Sequence, residues 1–192
     1  MFSIPPPSSY MHTKPALVID LDDTIIHSTI KPMGQDSFQV KLGRRRLFVD
    51  VRPGVADALK VLSSIYELFI FTASQVEYAE PIIEKVAPFI PKINRFYRDS
   101  CAPFCGYMVK DLNLLNRPLE SIILVDDIIG SGLMQPKNII GIPPWNGNVN
   151  DQIFTAVLLP LLLMVATAKH PIEFMRHVIN NGQFNELQLC DA

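Results

Sequence analysis

Val18-Ile19-Asp20-Leu21-Asp22-Asp23-Thr24 is an apolar run that ends in two acidic side chains two residues apart, followed by a hydroxyl. Ala16–Ile19 reads as a short buried strand. With Asp20–Asp22 extended, the period-two alternation of a strand points both carboxylates the same way at the strand's carboxyl end. In open α/β sheets that edge is where ligands bind. Carboxylates this close repel unless a cation or a shared proton relieves them. The arrangement therefore asks for a hard metal such as Mg2+, which takes oxygen ligands. The alternative is an Asp-rich strand-to-turn junction with no chemistry, since Asp is common in turns.

A second segment has the same character. Ser121-Ile122-Ile123-Leu124-Val125-Asp126-Asp127 is another apolar strand ending in paired acids. If the two strands lie parallel and near each other, their acids converge. Between them in sequence, Leu68-Phe69-Ile70-Phe71-Thr72-Ala73-Ser74 is a third apolar strand ending in hydroxyls, and Lys110 stands just before the second acidic strand. Acids for a metal, with hydroxyls and an ammonium for an anion, suit phosphoryl transfer, where positioning and charge neutralisation do most of the catalytic work.

These segments resemble a known family. Asp20-Leu21-Asp22-Asp23-Thr24-Ile25-Ile26-His27-Ser28 is similar to the DxDxT signature of haloacid-dehalogenase-type phosphatases, and specifically to the small C-terminal-domain phosphatases, the NLI-interacting-factor-like family. Phe71-Thr72-Ala73-Ser74 with Tyr78-Ala79 resembles the second motif. Phe96–Cys101 and Tyr107–Leu112 resemble the next segment and the lysine motif, and Val125-Asp126-Asp127 the fourth. The likeness runs roughly from Pro15 to His170 with every motif in order.

The resemblance implies an α/β fold, a Rossmann-like parallel sheet flanked by helices, with β-hairpin insertions and no large cap domain. It implies Asp20 as nucleophile, forming an aspartyl-phosphate, which splits one hard displacement into two easier ones. Asp22 would be the general acid and then the base that activates water. Mg2+ would be held by the Asp20 carboxylate, the Asp22 carbonyl and Asp127, with Asp126 orienting the shell. Thr72 and Lys110 would bind phosphoryl oxygens, with Lys110 also offsetting charge on Asp20. Arg98, Thr24 and Tyr78 complete the expected substrate-binding set, Thr24 also being suited to stabilise the turn after the nucleophile. The implied function is a Mg2+-dependent phosphoserine/phosphothreonine protein phosphatase, with the C-terminal repeat of RNA polymerase II among its substrates. The alternatives are a phosphatase for a small metabolite or a lipid-pathway substrate, and a catalytically silent binding module like the relatives in mitochondrial protein import.

The chain departs from the family's pattern twice. The fourth motif usually reads Asp-Asn-Ser-Pro and here reads Asp126-Asp127-Ile128-Ile129. Asp for Asn adds negative charge at a metal-ligand position, which is expected to strengthen Mg2+ binding without removing the oxygen ligand. Gln75 stands where an apolar residue often lines a pocket for a proline-containing peptide, while Ile30 and Tyr78 keep their apolar surfaces in that neighbourhood.

With 192 residues, 48% of them hydrophobic, the chain fits one globular domain. Residues 1–14, with Pro5-Pro6-Pro7-Ser8-Ser9, read as a flexible proline-rich arm, and residues 15–192 as a single catalytic domain. The start lacks an apolar signal core. A net charge of −2 argues against direct nucleic-acid binding. Cys101, Cys105 and Cys190 suit reduced thiols rather than a zinc site or a disulfide framework. The longest apolar stretch, Val157–Ala168, contains Pro160 and falls short of the roughly 20 residues of a bilayer span. An intracellular, soluble protein, nuclear or cytoplasmic, is therefore expected, with a phosphorylated protein or peptide as partner; the sequence leaves its oligomeric state open.

The remaining pattern is a hairpin of residues 37–42 and 46–51 around Gly43-Arg44, a helix opened by Arg52-Pro53-Gly54 and running to about Ser64, a helix from about Val76 to Val86, and an extended excursion from Arg95 to Lys110. A short helix at Leu112–Leu115, a strand at Ile139–Ile142 and helices near Gln152–Ala168 and Pro171–Asn181 follow. Strands alternating with helices argue for a parallel sheet covered on both faces. His27 suits a hydrogen bond within the loop after Asp22, and Trp145 suits anchoring of its own loop.

Overall fold

A computed structural model describes residues 14–34 and 36–190. The proline-rich arm expected over residues 1–14 lies, except for Lys14, outside the described residues. Ala16–Ile19 (β1) is an uninterrupted apolar run and every residue of it is buried, as a central parallel strand requires. The elements that follow are β2 (Ile26–Thr29), β3 (Phe38–Leu42), β4 (Arg45–Val51), α1 (Val55–Ser63), β5 (Glu67–Phe71) and α2 (Val76–Val86). Then come β6 (Arg95–Phe96), β7 (Cys101–Phe104), β8 (Tyr107–Lys110), β9 (Ile122–Asp126), β10 (Ile139–Gly141), α3 (Leu159–Val165), α4 (Pro171–Asn180) and β11 (Gln188–Leu189).

The main sheet has six strands in the order β11-β10-β9-β1-β5-β6, parallel except for β11. Ile19 is level with Ile70 of β5 on one side and Val125 of β9 on the other. The next residues along, Asp20, Phe71 and Asp126, therefore stand level at the sheet's carboxyl edge, and the acids of two separate motifs meet there. Alternation along β1 separates two cores. Leu17 and Ile19 pack with the buried residues of all four α-helices. Ala16 and Val18 face a second cluster with Phe69, Phe71, Phe96, Leu112 and Leu115, closed by the 3-10 turn Leu112–Leu115. Phe71 and Phe96 stack there with ring centroids 5.0 Å apart.

Two small sheets are inserted around this frame. The expected hairpin forms β3 and β4, joined through Gly43 at φ 60°, a turn residue that has to be left-handed to fold the strands back. The sequence did not suggest the third strand, β2, which pairs with β4. The Arg95–Lys110 excursion resolves into β6 at the main sheet's edge and the β7–β8 hairpin. No separate cap domain is found among the described residues.

The helix expected over Gln152–Ala168 is not uniform. Residues 153–158 form a π-helical turn, with Leu159 N–H donating to Phe154 C=O, before α3 begins with Pro160 in its first turn. Proline has no N–H to give to the residue four back, and the wider turn absorbs that gap. The π segment presses on Gly54, where a Cβ would come within 2.4 Å of Thr155 Cγ2. Among the described residues no helix is long and apolar enough to cross a membrane.

Candidate active site

Asp20 stands directly beyond β1, and its backbone N–H donates to Val125 C=O at 2.9 Å, which ties its position to β9. Lys110, at the end of β8, is almost fully buried and places Nζ 2.5 Å from both Asp20 Oδ1 and Asp126 Oδ2. Burial alone pulls the ammonium's pKa down, but the two carboxylates outweigh it and hold Lys110 above its usual range. For Asp20, burial pushes the carboxyl above the ordinary carboxylate range, opposed by Lys110 and reinforced by Asp126 and Asp22.

Asp126 is held on every side. Its Oδ2 also accepts from Ser131 Oγ at 2.6 Å, and its Oδ1 from the Ile128 N–H at 2.8 Å. Asp127 is pinned through Thr24, whose Oγ1 accepts from the Asp127 N–H at 3.2 Å and lies 3.4 Å from Asp127 Oδ1. Carboxylate oxygens of Asp20, Asp126 and Asp127 all lie within 4.8 Å of one another. Asp127 is pushed up to about 6 by burial, with Asp126 and Asp23 adding to it. Three acids face one ammonium in an oxygen-only donor set, so this corner fits a hard divalent cation, which would relieve the excess charge.

Asp22 points differently. Its Oδ2 accepts from Ser74 Oγ at 2.7 Å and its Oδ1 from Tyr78 Oη at 2.6 Å, with Tyr78 Oη also 2.9 Å from Ser28 Oγ. Burial, with Asp22 beside it, pushes the Tyr78 hydroxyl up, so it stays protonated and remains a donor. Asp23 makes the turn possible at φ 56°, a left-handed conformation that Asp tolerates better than most residues. Its carboxylate meets His27 Nδ1 at 2.5 Å and its carbonyl accepts from the Trp145 N–H at 2.6 Å. Trp145 packs edge-on against His27, which fixes the loop as expected of both residues.

The cavity above these groups has a volume of about 330 Å³ and is lined in part by Asp20, Asp22, Thr72, Arg98, Lys110 and Asp127. Arg98 reaches it with Nε donating to Ala73 C=O at 2.7 Å, and Thr72 Oγ1 accepts from the Ser74 N–H at 3.0 Å. Two expected substrate contacts do not line it. Thr24 is fully buried under Asp127, and Tyr78 is buried behind Asp22, and each hydroxyl meets a carboxylate residue: Thr24 the N–H and Oδ1 of Asp127, Tyr78 the Oδ1 of Asp22. The Asp22 carboxylate is likewise turned away from the three-acid corner, leaving only its backbone carbonyl as an expected ligand.

Three supporting residues were given no individual role from the sequence. Ser74 could have been given one, because it shares the period-two face of Thr72. Ser131 has no comparable signal five residues beyond Asp126. Arg52 is buried, bonded to Asp151 through Nε at 2.7 Å and Nη2 at 3.0 Å, and donates to Thr24 C=O at 3.1 Å. That links the loop after β10 to the turn beneath Asp127.

Residues 15–171 match the model of the family described as NLI interacting factor-like phosphatase. The chain belongs to that family. Among NLI interacting factor-like relatives, it is 36% identical over 150 residues to a probable C-terminal domain small phosphatase of Dictyostelium discoideum, covering 76% of this chain and 49% of that protein. It is 34% identical over 180 residues to the mitochondrial import inner membrane translocase subunit TIM50 of Debaryomyces hansenii, covering 93% of this chain and 35% of that one. The chain spans about half the length of the curated relatives it matches, or less. A solved structure of Fcp1, an essential RNA polymerase II CTD phosphatase, superposes with a TM-score of 0.60 at 21% identity, covering 89% of this chain and 55% of that one. The fold is thus the haloacid-dehalogenase type expected for the NLI interacting factor-like chain.

Proposed function

We propose that this domain is a Mg2+-dependent phosphoserine/phosphothreonine protein phosphatase that works through an aspartyl-phosphate on Asp20. The observation that carries the proposal is the pairing of Asp20, held by Lys110 beside Asp126 and Asp127, with Asp22, held by Ser74 and Tyr78 on the wall of the same cavity. One carboxylate sits among charges suited to a phosphoryl group. The other stands two residues on, available to move a proton.

In the first step an Asp20 oxygen attacks phosphorus and the ester P–O bond breaks, while Asp22 gives its proton to the leaving alkoxide. In the second, Asp22 takes a proton from water, the resulting hydroxide attacks phosphorus, and the acyl-phosphate P–O bond breaks to release phosphate and restore Asp20. Thr72 and Lys110 bind the phosphoryl oxygens, and Arg98 contacts the phosphorylated substrate at the cavity's rim. A Mg2+ held by Asp20, Asp127 and the Asp22 carbonyl, with Asp126 orienting that shell, would neutralise charge on the transferring group. Ser74 and Tyr78 keep Asp22 at the wall in a fixed orientation.

The likeness to Fcp1, an RNA polymerase II CTD phosphatase, makes the phosphorylated C-terminal repeat of RNA polymerase II the first peptide substrate to assay, and the location proposed for the protein is nuclear or cytoplasmic. p-Nitrophenyl phosphate hydrolysis with and without Mg2+, run beside Asp20→Asn, tests the proposal. Metal-dependent turnover lost in the mutant supports it. Absence of turnover in the folded, Mg2+-loaded chain contradicts it and favours a silent binding module, a second reading that rests on the TIM50 relative's likeness over 93% of this chain.

A further inference from the structure

We propose that one side of the catalytic cavity is an apolar specificity wall, formed by Tyr107, Met108 and Ile128, that receives an aliphatic or aromatic residue next to the phosphorylated residue of a peptide substrate. The inference rests on the phosphatase reading above.

The sheet order fixes which side this is. Thr72–Ser74 follow β5 and Ile128 follows β9, on opposite flanks of β1. The β5 flank of the cavity is polar, with Thr72, Ser74 and Arg98. The β9 flank carries Tyr107 and Met108 from β8 and Ile128 from the turn after Asp127, all lining the same cavity as Asp20. Tyr107 is 44% exposed and Ile128 52% exposed. Single exposed apolar residues are ordinary on a protein surface. Here they meet at the mouth of a cavity whose floor is ionic, where a few polar groups orient a ligand and apolar walls receive the rest of it.

The wall is also built in advance. The Tyr107 ring lies directly over Gly130, where a Cβ would come within 2.5 Å of Cδ1 and Cε1. Only glycine lets the ring settle that close to the backbone, and the ring is held from behind. Ile128 is fixed by its own N–H on Asp126 Oδ1 at 2.8 Å, which leaves its side chain turned outward. A phosphoresidue whose phosphate reaches Asp20 has its neighbouring side chains at the cavity's mouth. On the β9 flank an apolar neighbour covers the apolar surface of Tyr107, Met108 and Ile128, whereas an acidic one would be desolvated there beside Asp127.

The test uses two phosphopeptides that differ only in the residues flanking phosphoserine, Leu on both sides in one and Ser in the other. The full chain should favour the Leu peptide by about tenfold in kcat/KM. Ile128→Ser, and separately Tyr107→Ser, should bring that ratio towards one whatever their absolute rates. Equal kcat/KM for the two peptides in a chain that turns over p-nitrophenyl phosphate overturns the wall and leaves the phosphatase reading standing. If p-nitrophenyl phosphate is not hydrolysed, fluorescence anisotropy with Asp20→Asn reads the same preference as a ratio of Kd values. A tenfold ratio there supports the wall without the phosphatase reading, and equal binding overturns both.

Discussion

The Lys110 ammonium lies 2.5 Å from Asp20 Oδ1, and both groups are buried. A second carboxylate, Asp126, approaches the same nitrogen at 2.5 Å, so one cation serves two acids that come from different strands. That shared nitrogen joins the first and fourth motifs. It also defines the charge that any incoming phosphoryl group meets.

Lys110→Gln keeps most of the side chain's volume and removes its charge. Loss of a preorganised cation at a phosphoryl site is expected to lower kcat by about a hundredfold to a thousandfold. Mg2+-saturated kinetics on p-nitrophenyl phosphate measure it, with circular dichroism confirming the fold. A kcat close to that of the wild type would remove Lys110 from the mechanism.

Tyr78→Phe keeps the buried ring and deletes the donor to Asp22 Oδ1. If Tyr78 positions the proton donor, kcat should fall by about tenfold on phosphoserine peptides, whose alkoxide needs a proton, and less on p-nitrophenyl phosphate, whose leaving group does not. A rise in KM with unchanged kcat would instead return Tyr78 to substrate contact.

Thr24→Val removes the oxygen that accepts from the Asp127 N–H while preserving shape. Groups that hold a metal ligand in place typically contribute about tenfold to a hundredfold in metal affinity. A Mg2+ titration of activity should therefore shift its half-saturation point upward with little change in the plateau. An unchanged titration would show that Asp127 does not depend on this contact.

Away from the site, Glu80 joins Tyr97 Oη, Lys92 and the buried Arg95 guanidinium. Burial pushes Glu80 up, but the hydrogen bonds from Tyr97, Lys92 and Arg95 outweigh it and hold the carboxyl below its usual value of 4.5. A carboxyl lowered by folding adds stability above its unfolded pKa and loses that contribution as pH falls through the folded value. Glu80→Gln should therefore melt lower than the wild type at pH 7, with the two Tm values converging below about pH 4. A Tm difference independent of pH would assign the loss to packing.

Much of this was legible in the chain because each central strand is a continuous apolar run that stops at a carboxylate or a hydroxyl. Asp20, Asp126 and Thr72 could be placed at one sheet edge from that pattern alone, and α2 runs over the residues that periodicity indicated. Short elements were not legible. β6 and β11 each have two residues, and β2 reads Ile-His-Ser-Thr with no alternation to mark it. The π turn before Pro160, which packs closely on Gly54, has no periodicity that sets it apart from the helix after it. The partners of Thr24 and Tyr78 were equally hidden, because a motif places a hydroxyl near the site without saying which group it faces. Arg52, which acts through a partner ninety-nine residues away, and Ser131, in the turn after Asp126, have no pattern in the sequence around them.

The central claim is a covalent intermediate on Asp20. Its most direct test is to quench the Mg2+-loaded chain in acid during turnover of a phosphopeptide, reduce with borohydride and sequence the peptides by mass spectrometry. Borohydride converts an aspartyl-phosphate to homoserine, so the account expects homoserine at position 20 and none in Asp20→Asn. Sustained turnover with Asp20 unmodified, or with the modification on another carboxylate, would contradict it.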